Sequence, residues 1–398
     1  MKRYDFDEII DRKQTNCVKY DGYQEIYGAD NLIPLWVADM DFRTPDFVFE
    51  AIEERMKHPV LGYFIHSEGF YQSIINWMQR RHQWKVEKEW IYYAPGIVPG
   101  LSFLVQAFTA PGDKVLVQTP VYHPFYYVVE NQNRQIIRNP LKLVDDHYEM
   151  DYNHLEDCLR QGVKMMILCN PHNPLGRCWT AEELRKVGEL CLKYHCLLIS
   201  DEIHSDLMMP GYKHTPMANI SEEIAQNTIT CMAPSKTFNL AGLSTSEIII
   251  PNANLRKHFE KLMYDGIHLF VGNIFGEVAL EACYTKGDEW LAQLLQYLKG
   301  NVDYIHQYIK ENIPEIRTFR HEATYLPWLD FSAFGLSHKG LSHLLVEKAK
   351  VALNDGAIFG PEGEKHFRIN VACPRVTLEK AMEQLHLTFR SQSCISAR

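Results

Sequence analysis

The sequence contains no Cys-x-x-Cys pair, no long apolar run and no cluster of basic residues, and each absence argues against a class of protein. Its ten cysteines are scattered, and several lie in apolar runs where a free thiol behaves as a small hydrophobe. Neither a zinc cluster nor a disulfide framework is therefore expected. No stretch approaches the roughly 20 apolar residues that a membrane span requires, and residues 1–10 mix charges without an apolar core. We expect a cytoplasmic protein that does not enter a membrane.

The charge balance disfavours a nucleic-acid partner. The net charge is -9, and no run rich in lysine or arginine offsets it. A chain of 398 residues that is 46% hydrophobic is long enough for two domains with a sizeable core. Internal repeats and low-complexity segments are also missing. The length and composition are typical of a large soluble enzyme.

Short apolar runs without polar alternation predict strands that are covered on both faces of a parallel sheet. One segment between them, 180–194, predicts a crossover helix, because Thr180 and Glu183 form a capping box and apolar residues recur on one helical face. A further helical stretch begins near Phe275 and continues toward Tyr308. The predicted strands are 114–118, 164–169, 196–200, 228–232 and 247–250.

Three polar residues each follow an apolar run, namely Asn170, Asp201 and Lys236. Alone, each residue type is more typical of a turn, a helix cap or a surface charge. In parallel sheets, however, ligands bind beyond the carboxyl ends of the strands, which is where all three fall. Together they suit pyridoxal 5'-phosphate: the lysine amine bonds the aldehyde, the carboxylate pairs with the ring nitrogen, and the amide donates to the phenolic oxygen.

A phosphate site is predicted where a helix begins after Tyr93-Ala-Pro-Gly96. Gly96 lets the chain turn, and the backbone amides of Ile97 and Val98 open the helix with Pro99 near its first position. An ordinary turn before a core helix is the competing interpretation. The backbone alone would bind the anion, so the apolar side chains do not argue against the site.

The motifs together resemble those of fold-type I pyridoxal-phosphate enzymes of the class I/II aminotransferase superfamily, and within it the MalY/PatB branch of cystathionine beta-lyases, or cysteine C-S lyases. The resemblance covers nearly the whole chain. Its motifs are Trp36-Val-Ala-Asp-Met-Asp-Phe42, Asn170-Pro-His-Asn-Pro-Leu-Gly176, Ser200-Asp-Glu-Ile-His204, Ser235-Lys-Thr-Phe-Asn-Leu-Ala-Gly242 and Phe367-Arg-Ile-Asn-Val-Ala372.

The resemblance implies an α/β fold of two domains. Residues 45–285 would form the large cofactor-binding domain, with a mostly parallel sheet sandwiched by helices. Residues 1–44 and 286–398 would form a smaller α+β domain. The family also implies a homodimer with shared active sites, in which Tyr63 donates to the cofactor phosphate of the neighbouring subunit.

Further site residues follow from the resemblance. Ser235 would add a hydroxyl to the phosphate site, Tyr122 would stack on the cofactor ring, and His204 would face the cofactor. For the substrate, Arg368 would bind the α-carboxylate as a planar fork, helped by backbone at Val37–Ala38.

Two positions depart from the wider superfamily. Ser244 stands where many aminotransferases have an arginine that binds phosphate, and His204 stands where many have a tyrosine. Both departures fit the C-S lyase branch better than the aspartate-type transaminases. We assign no role to His123, which follows Tyr122.

The implied reaction is an α,β-elimination on L-cystathionine, L-cysteine or related cysteine S-conjugates that gives a thiol or sulfide, pyruvate and ammonia. An aminotransferase, which shares the early steps, is the close alternative. An alternative of another class is a regulatory protein that binds a transcription activator, as some members of this branch do.

Overall fold

Two larger β-sheets and a two-stranded sheet of Lys142–Val144 and His147–Glu149 organise the computed structural model, which describes residues 2–396. The fourteen strands are β1 (Ile33–Leu35), β2 (Ile91–Ala94), β3 (Lys114–Val117), β4 (Gln135–Arg138), β5 (Lys142–Val144), β6 (His147–Glu149), β7 (Met165–Cys169), β8 (Leu197–Asp201), β9 (Thr228–Met232), β10 (Ser246–Ile249), β11 (Arg317–Thr318), β12 (Trp328–Asp330), β13 (Val351–Asp355) and β14 (His366–Arg368).

The α-helices surround these strands and precede or follow most of them in the chain. They are α1 (Val18–Asp21), α2 (Tyr23–Tyr27), α3 (Asp46–Met56), α4 (Glu68–His82), α5 (Ile97–Phe108), α6 (Pro124–Glu130), α7 (Tyr152–Leu159), α8 (Ala181–Lys193), α9 (Glu222–Gln226), α10 (Pro234–Thr237), α11 (Ala253–Glu260), α12 (Ile274–Lys286), α13 (Asp288–Asn312), α14 (His338–His343) and α15 (Arg375–Ser396). In the described part of the chain, none of them combines the length and the apolar character that crossing a membrane requires.

The large sheet has seven strands in the order β2-β10-β9-β8-β7-β3-β4. Strand β10 runs antiparallel to both of its neighbours, and the remaining pairs are parallel. Helices cover both faces, as successive residues of β3 show. Val115 and Val117 pack with Leu101 of α5 on one face, while Leu116 packs with Leu184 of α8 on the other. The predicted α/β fold with a mostly parallel, sandwiched sheet is confirmed.

The local predictions hold to within one or two residues. The predicted runs correspond to β3, β7, β8, β9 and β10. The capping box of α8 is formed, since the Glu183 amide donates to Thr180 Oγ1 at 3.2 Å and the Thr180 amide donates to Glu183 Oε2 at 2.7 Å. This helix carries the chain from β7 to the parallel β8, and so places the residues after both strands at one edge.

The small sheet joins distant parts of the chain. Its order is β1-β13-β14-β12-β11, in which β1 pairs in parallel with β13 and the other pairs are antiparallel. The small sheet thus combines one N-terminal strand with four strands from the C-terminal part of the chain. This pairing supports the division into 45–285 and 1–44 with 286–398, which we keep as a proposal.

The helical stretch expected from Phe275 toward Tyr308 forms two helices, because the helix is interrupted at Gly287, between α12 and α13. A Cβ atom at this position would lie 2.4 Å from the Cys283 carbonyl oxygen and equally close to the Phe238 ring. The close approach requires glycine there. The prediction of a continuous stretch was therefore wrong at this residue.

Candidate active site

The carboxyl ends of the central strands bring the predicted chemical residues together. Asp201 is the last residue of β8, Asn170 directly follows β7, and Lys236 lies in α10, which follows β9 after one connecting residue. Strands β7, β8 and β9 are adjacent and parallel. Their carboxyl ends therefore form one edge, the position at which open α/β sheets bind ligands.

Two cavities meet at this edge. The inner cavity has a volume of about 190 Å³ and the outer cavity about 760 Å³. Ala38, Tyr122 and Lys236 line both, so the lysine lies where the cavities join. The other residues of the inner cavity are Pro95, Gly96, Ile97, Val98, Pro99, Cys169, Asn173, Asp201, Ile203, His204, Ser235, Ala241, Ser244 and Thr245.

The Lys236 amine is held by a backbone carbonyl rather than by a carboxylate. Its Nζ donates to the Ala38 carbonyl oxygen at 2.6 Å. Burial, followed by the positive charge of Arg368, lowers the pKa of Lys236 to about 8, against a smaller opposing effect of Asp39 and Asp201. An amine with this pKa is neutral in an appreciable fraction near pH 7, so it can act as a nucleophile and as a base.

The Asp201 carboxyl is buried and lacks a cationic partner among the described residues at bonding distance. It accepts the Ile203 amide at 3.2 Å. Burial raises the pKa of Asp201 to about 7, partly offset by that amide. A protonated ring nitrogen beside it would favour the ionised form, since an opposite charge in a low dielectric lowers a carboxyl pKa. The site is thus suited to a cationic ligand atom.

The amide residue of the site is Asn173, and not the predicted Asn170. The Asn170 side chain is fully buried, its Nδ2 donates to the Thr215 carbonyl at 3.2 Å, and it does not line either cavity. Asn173 lines the inner cavity and accepts a hydrogen bond from Arg368. Cys169 at the end of β7 also lines this cavity, but the next lining residue is Asn173, beyond the turn through Pro171 and His172, which the sequence pattern did not reveal.

The N-terminus of α5 faces the inner cavity without a side-chain cap. Gly96 has a φ of 145° and no side chain to bond the first turn. The amides of Ile97 and Val98 have no partner within the helix, because the first turn of any helix leaves its N–H groups unpaired. Ser235, Ser244 and the helix N-terminus line the same cavity. This arrangement provides backbone and hydroxyl donors for an anion.

Two aromatic rings complete the inner cavity. His204 is buried, and its Nδ1 has no hydrogen-bond partner in the part of the chain that the structure describes. Burial, with the charges of Lys236 and Arg368, lowers the pKa of His204, so the imidazole is neutral. Burial raises the pKa of Tyr122 to about 12, so its phenol remains protonated. His123 lines the outer cavity only.

Arg368 is a buried guanidinium that pairs with no carboxylate among the described residues. Its Nη1 donates to Asn173 Oδ1 at 2.8 Å and its Nη2 to the Trp36 carbonyl at 3.1 Å, while Nε has no partner in that part of the chain. Burial lowers the pKa of Arg368 to about 10. Because a buried charge without a counter-ion is costly, the outer cavity should bind an anionic group beside it.

The backbone from Trp36 to Met40 is held by side chains at five consecutive carbonyls. Arg368 bonds the first, and Asn370 Nδ2 bonds those of Val37 and Asp39 at 2.6 Å each. The Ala38 carbonyl accepts Lys236, and the Met40 carbonyl accepts Asn239 Nδ2 at 2.9 Å. The sequence predicts Val37 and Ala38 as site residues, but it does not indicate that Asn370 and Lys236 donate to their carbonyls.

Tyr63 lies apart from this cluster. It is fully exposed and does not line either cavity. Its neighbours Val60, Leu61 and Ile65 are also exposed, at 60%, 63% and 85%. An exposed apolar segment of this kind is typical of a surface that another chain covers.

Comparisons with known proteins point to one family. The family model described as aminotransferase class I and II matches residues 30–385. Cystathionine beta-lyase PatB of Bacillus subtilis is 44% identical over 96% of this chain and 98% of its own length. The structure resembles cystalysin from Treponema denticola, which contains a pyridoxal 5'-phosphate cofactor, with 37% identity, a TM-score of 0.95 and coverage of 98% of this chain and all of that one.

The structure also resembles the pyridoxal-phosphate-bound C-S lyase from Staphylococcus hominis. The identity is 34% and the TM-score is 0.91, with coverage of 97% of this chain and 98% of that one. The resemblance inferred from the sequence motifs is confirmed. With the match across residues 30–385 and relatives of this similarity, the chain belongs to the class I and II aminotransferase family.

Proposed function

We propose that the protein is a pyridoxal-phosphate-dependent carbon-sulfur lyase that cleaves L-cystathionine, L-cysteine or related cysteine S-conjugates. The products are a thiol or sulfide, pyruvate and ammonia. The observation that carries the proposal is the meeting of an amine, a buried carboxyl and a buried guanidinium around joined cavities. They are Lys236, Asp201 and Arg368. Asp201 and Arg368 form hydrogen bonds to neutral groups, but neither has an oppositely charged partner at bonding distance within the described residues.

The inner cavity fits the cofactor by the chemistry of its donor set. Asp201 would hold a proton on the ring nitrogen, Asn173 would donate to the phenolic oxygen, and Tyr122 would cover one ring face. His204 lines the same cavity, and its Nδ1 has no hydrogen-bond partner among the described residues and would be available to the cofactor. Pyridoxal phosphate, when bound, supplies an aldehyde for Lys236 and an electron-withdrawing ring that stabilises negative charge on a substrate α-carbon.

The phosphate would bind at the uncapped N-terminus of α5. The amides of Ile97 and Val98 after Gly96 would donate to it, and Ser235 would add a hydroxyl. Ser244 stands where related enzymes have an arginine, so the anion is held by neutral donors and the helix dipole on this subunit. The need for a further donor supports the role of Tyr63 from a second chain.

Arg368 would bind the substrate α-carboxylate through its fork, with the backbone at Val37 and Ala38 alongside. Lys236 would then remove the α-proton with its neutral amine and hold it on Nζ as an ammonium bonded to the Ala38 carbonyl. The outer cavity, whose lining is largely apolar, would accommodate the sulfur substituent. A thiolate on the β-carbon is a good leaving group, which favours elimination for such substrates.

The homodimer is part of the proposal. Tyr63 lies too far outside its own cavities to line them, and it belongs to an exposed apolar segment. Placement of this segment against a second copy would bury apolar surface and bring a phenol to the partner's phosphate site. We also propose a cytoplasmic location, supported by the composition alone.

The test is to incubate the purified protein with L-cystathionine and to measure pyruvate and free thiol. We expect them to form in equal amounts. Lys236→Ala should abolish product formation and the absorbance of the bound cofactor, whereas Lys213→Ala, which changes an exposed lysine outside both cavities, should not. Product formation by Lys236→Ala would contradict the assignment.

The same assay separates the lyase from an aminotransferase, the activity after which the matched family model is named. L-Phenylalanine, which lacks a leaving group, should give little product. A keto acid that forms from it while pyridoxamine phosphate accumulates, without pyruvate from cystathionine, would identify an aminotransferase instead.

A further inference from the structure

One backbone oxygen near the lysine has two side-chain donors. The Ala38 carbonyl accepts the Lys236 amine at 2.6 Å and the hydroxyl of Tyr325 at 3.0 Å. The second donor comes from a part of the chain 287 residues away from its acceptor. Both lone pairs of the oxygen are therefore used, one by the lysine and one by a phenol.

Tyr325 is built into the core and does not reach a ligand. Its side chain is fully buried and it does not line either cavity. Its carbonyl accepts the Val371 amide at 2.9 Å, and the preceding Thr324 amide donates to the Leu207 carbonyl at 2.7 Å. The hydroxyl is thus held at a fixed place, where it donates to the Ala38 carbonyl. The ring lies edge-on to His204, with centroids 6.2 Å apart, a contact that phenylalanine would keep.

We propose that Tyr325 is a positioning residue for Lys236, whose hydroxyl fixes the Ala38 carbonyl and limits how strongly that carbonyl holds the lysine ammonium. The inference rests on the proposed function, in which the Lys236 amine accepts the substrate α-proton and later returns it. A carbonyl that bound the ammonium too strongly would slow this return. The shared acceptor weakens the bond enough for the proton to leave.

The contribution of the Tyr325 hydroxyl can be separated from other effects on the Lys236 amine. Replacing Tyr325 by phenylalanine removes no charge and leaves Lys236 as the remaining side-chain donor to Ala38, so the acceptor is still satisfied. Its bond to the ammonium should strengthen, which raises the pKa of the amine. The titratable groups facing Lys236 are unchanged, namely Asp39, Asp201, Arg368, His204 and Tyr122.

Tyr325→Phe should move the acid limb of the pH profile of kcat upward by about half a pH unit, the effect of altering one hydrogen bond to a charged group. Below that limb kcat should fall about threefold, while the alkaline plateau and KM change little. Tyr126→Phe is the matched control. Tyr126 also donates to a backbone carbonyl with a second donor, that of Phe359, but it does not line either cavity.

A second measurement does not depend on turnover. In the cofactor-free full-length protein, the rate of reductive methylation of Lys236 at different pH values, followed by mass spectrometry, gives the pKa of the amine. We expect the same upward shift in Tyr325→Phe and none in Tyr126→Phe, at unchanged melting temperatures. An unshifted amine, or an equal shift in the control, would overturn the proposal. Absence of lyase activity in the wild type would contradict the proposed function. The titration of Lys236 would then still decide whether Tyr325 acts on the amine.

Discussion

The Nη1 atom of Arg368 donates to the side-chain oxygen of Asn173 at 2.8 Å. This bond fixes the orientation of the amide, because a guanidinium can only donate and must therefore meet the oxygen. The Asn173 nitrogen is left to donate into the inner cavity, which Asn173 lines. The group that we assign to the substrate and the group that we assign to the cofactor are thus coupled directly.

Replacement of Asn173 by alanine should lower kcat/KM by about 10-fold to 100-fold, the effect of losing one or two hydrogen bonds to charged partners. Its melting temperature should change little, since the residue faces a cavity. Asn170→Ala should show the opposite pattern, because its buried amide bonds the Thr215 carbonyl. Steady-state kinetics and thermal melts of both variants decide which asparagine serves the cofactor. A larger loss of kcat/KM in Asn170→Ala than in Asn173→Ala would show that Asn170 is the cofactor partner.

Asp201→Asn should reduce turnover at least about 100-fold, because a neutral amide cannot pair with a protonated ring nitrogen, and loss of a buried ionic partner costs several kcal/mol. Cofactor binding should weaken but persist, since the phosphate donors are unchanged. Pyruvate formation from cystathionine and the absorbance of bound cofactor measure the two effects separately. Full turnover in this variant would show that the carboxyl does not hold the ring.

A mixed dimer tests whether Tyr63 serves the partner subunit. Lys236→Ala and Tyr63→Ala homodimers should each have low activity. Co-expression should restore about a quarter of the wild-type activity, because half of the dimers are mixed and each mixed dimer has one intact site. Recovery of activity to this level would show that each active site is built from both subunits. If the mixture stays as inactive as its components while mixed dimers are isolated through two affinity tags, the shared-site proposal is wrong.

The buried Glu247 of β10 should make stability depend on pH. Burial raises the pKa of Glu247 to about 8, and a hydrogen bond from Tyr284 only partly offsets this. Between the ordinary glutamate pKa and pH 8 the folded protein therefore holds a proton that the unfolded chain has lost, so stability falls as the pH rises through this window. The wild-type melting temperature should drop from pH 5 to pH 8 by several degrees more than that of Glu247→Gln.

The control for this prediction is Glu260→Gln. Tyr92 donates to Glu260 in a comparable phenol-carboxyl pair that is less buried. This variant should retain the wild-type pH dependence. Melting curves of the cofactor-free protein at several pH values provide the measurement. Equal slopes for Glu247→Gln and the wild type would show that the buried carboxyl does not control this dependence.

Site residues at the ends of buried strands, or a few residues beyond them, could be predicted from the sequence. Asp201 and Lys236 stand after apolar runs whose strands form as expected, and the capping box at Thr180 fixes the start of α8. Periodicity and capping are local, so one segment is sufficient to reveal them. The same reasoning favoured Asn170 because it is the residue nearest to its strand.

The remaining features arise from contacts between distant segments. The Asn170-Pro-His-Asn173 run contains two candidate amides, and their packing against Thr215 or Arg368 decides which one faces the cavity. The partners of the segment at Ala38 are 198 and 287 residues away. No pattern in the local sequence encodes such pairs.

The series of bonded carbonyls from Trp36 to Met40 has a consequence for how this loop can vary. Its conformation is dictated by donors such as Asn239 and Asn370, and the loop contributes mainly backbone oxygen, which every amino acid possesses. A substitution at Val37 that leaves its carbonyl in place should therefore preserve the loop, whereas Asp39 is also held through its side chain by Arg12 and Lys19. Loss of Asn370 should release two carbonyls at once, so a distant asparagine controls the shape of the loop more than Val37 does.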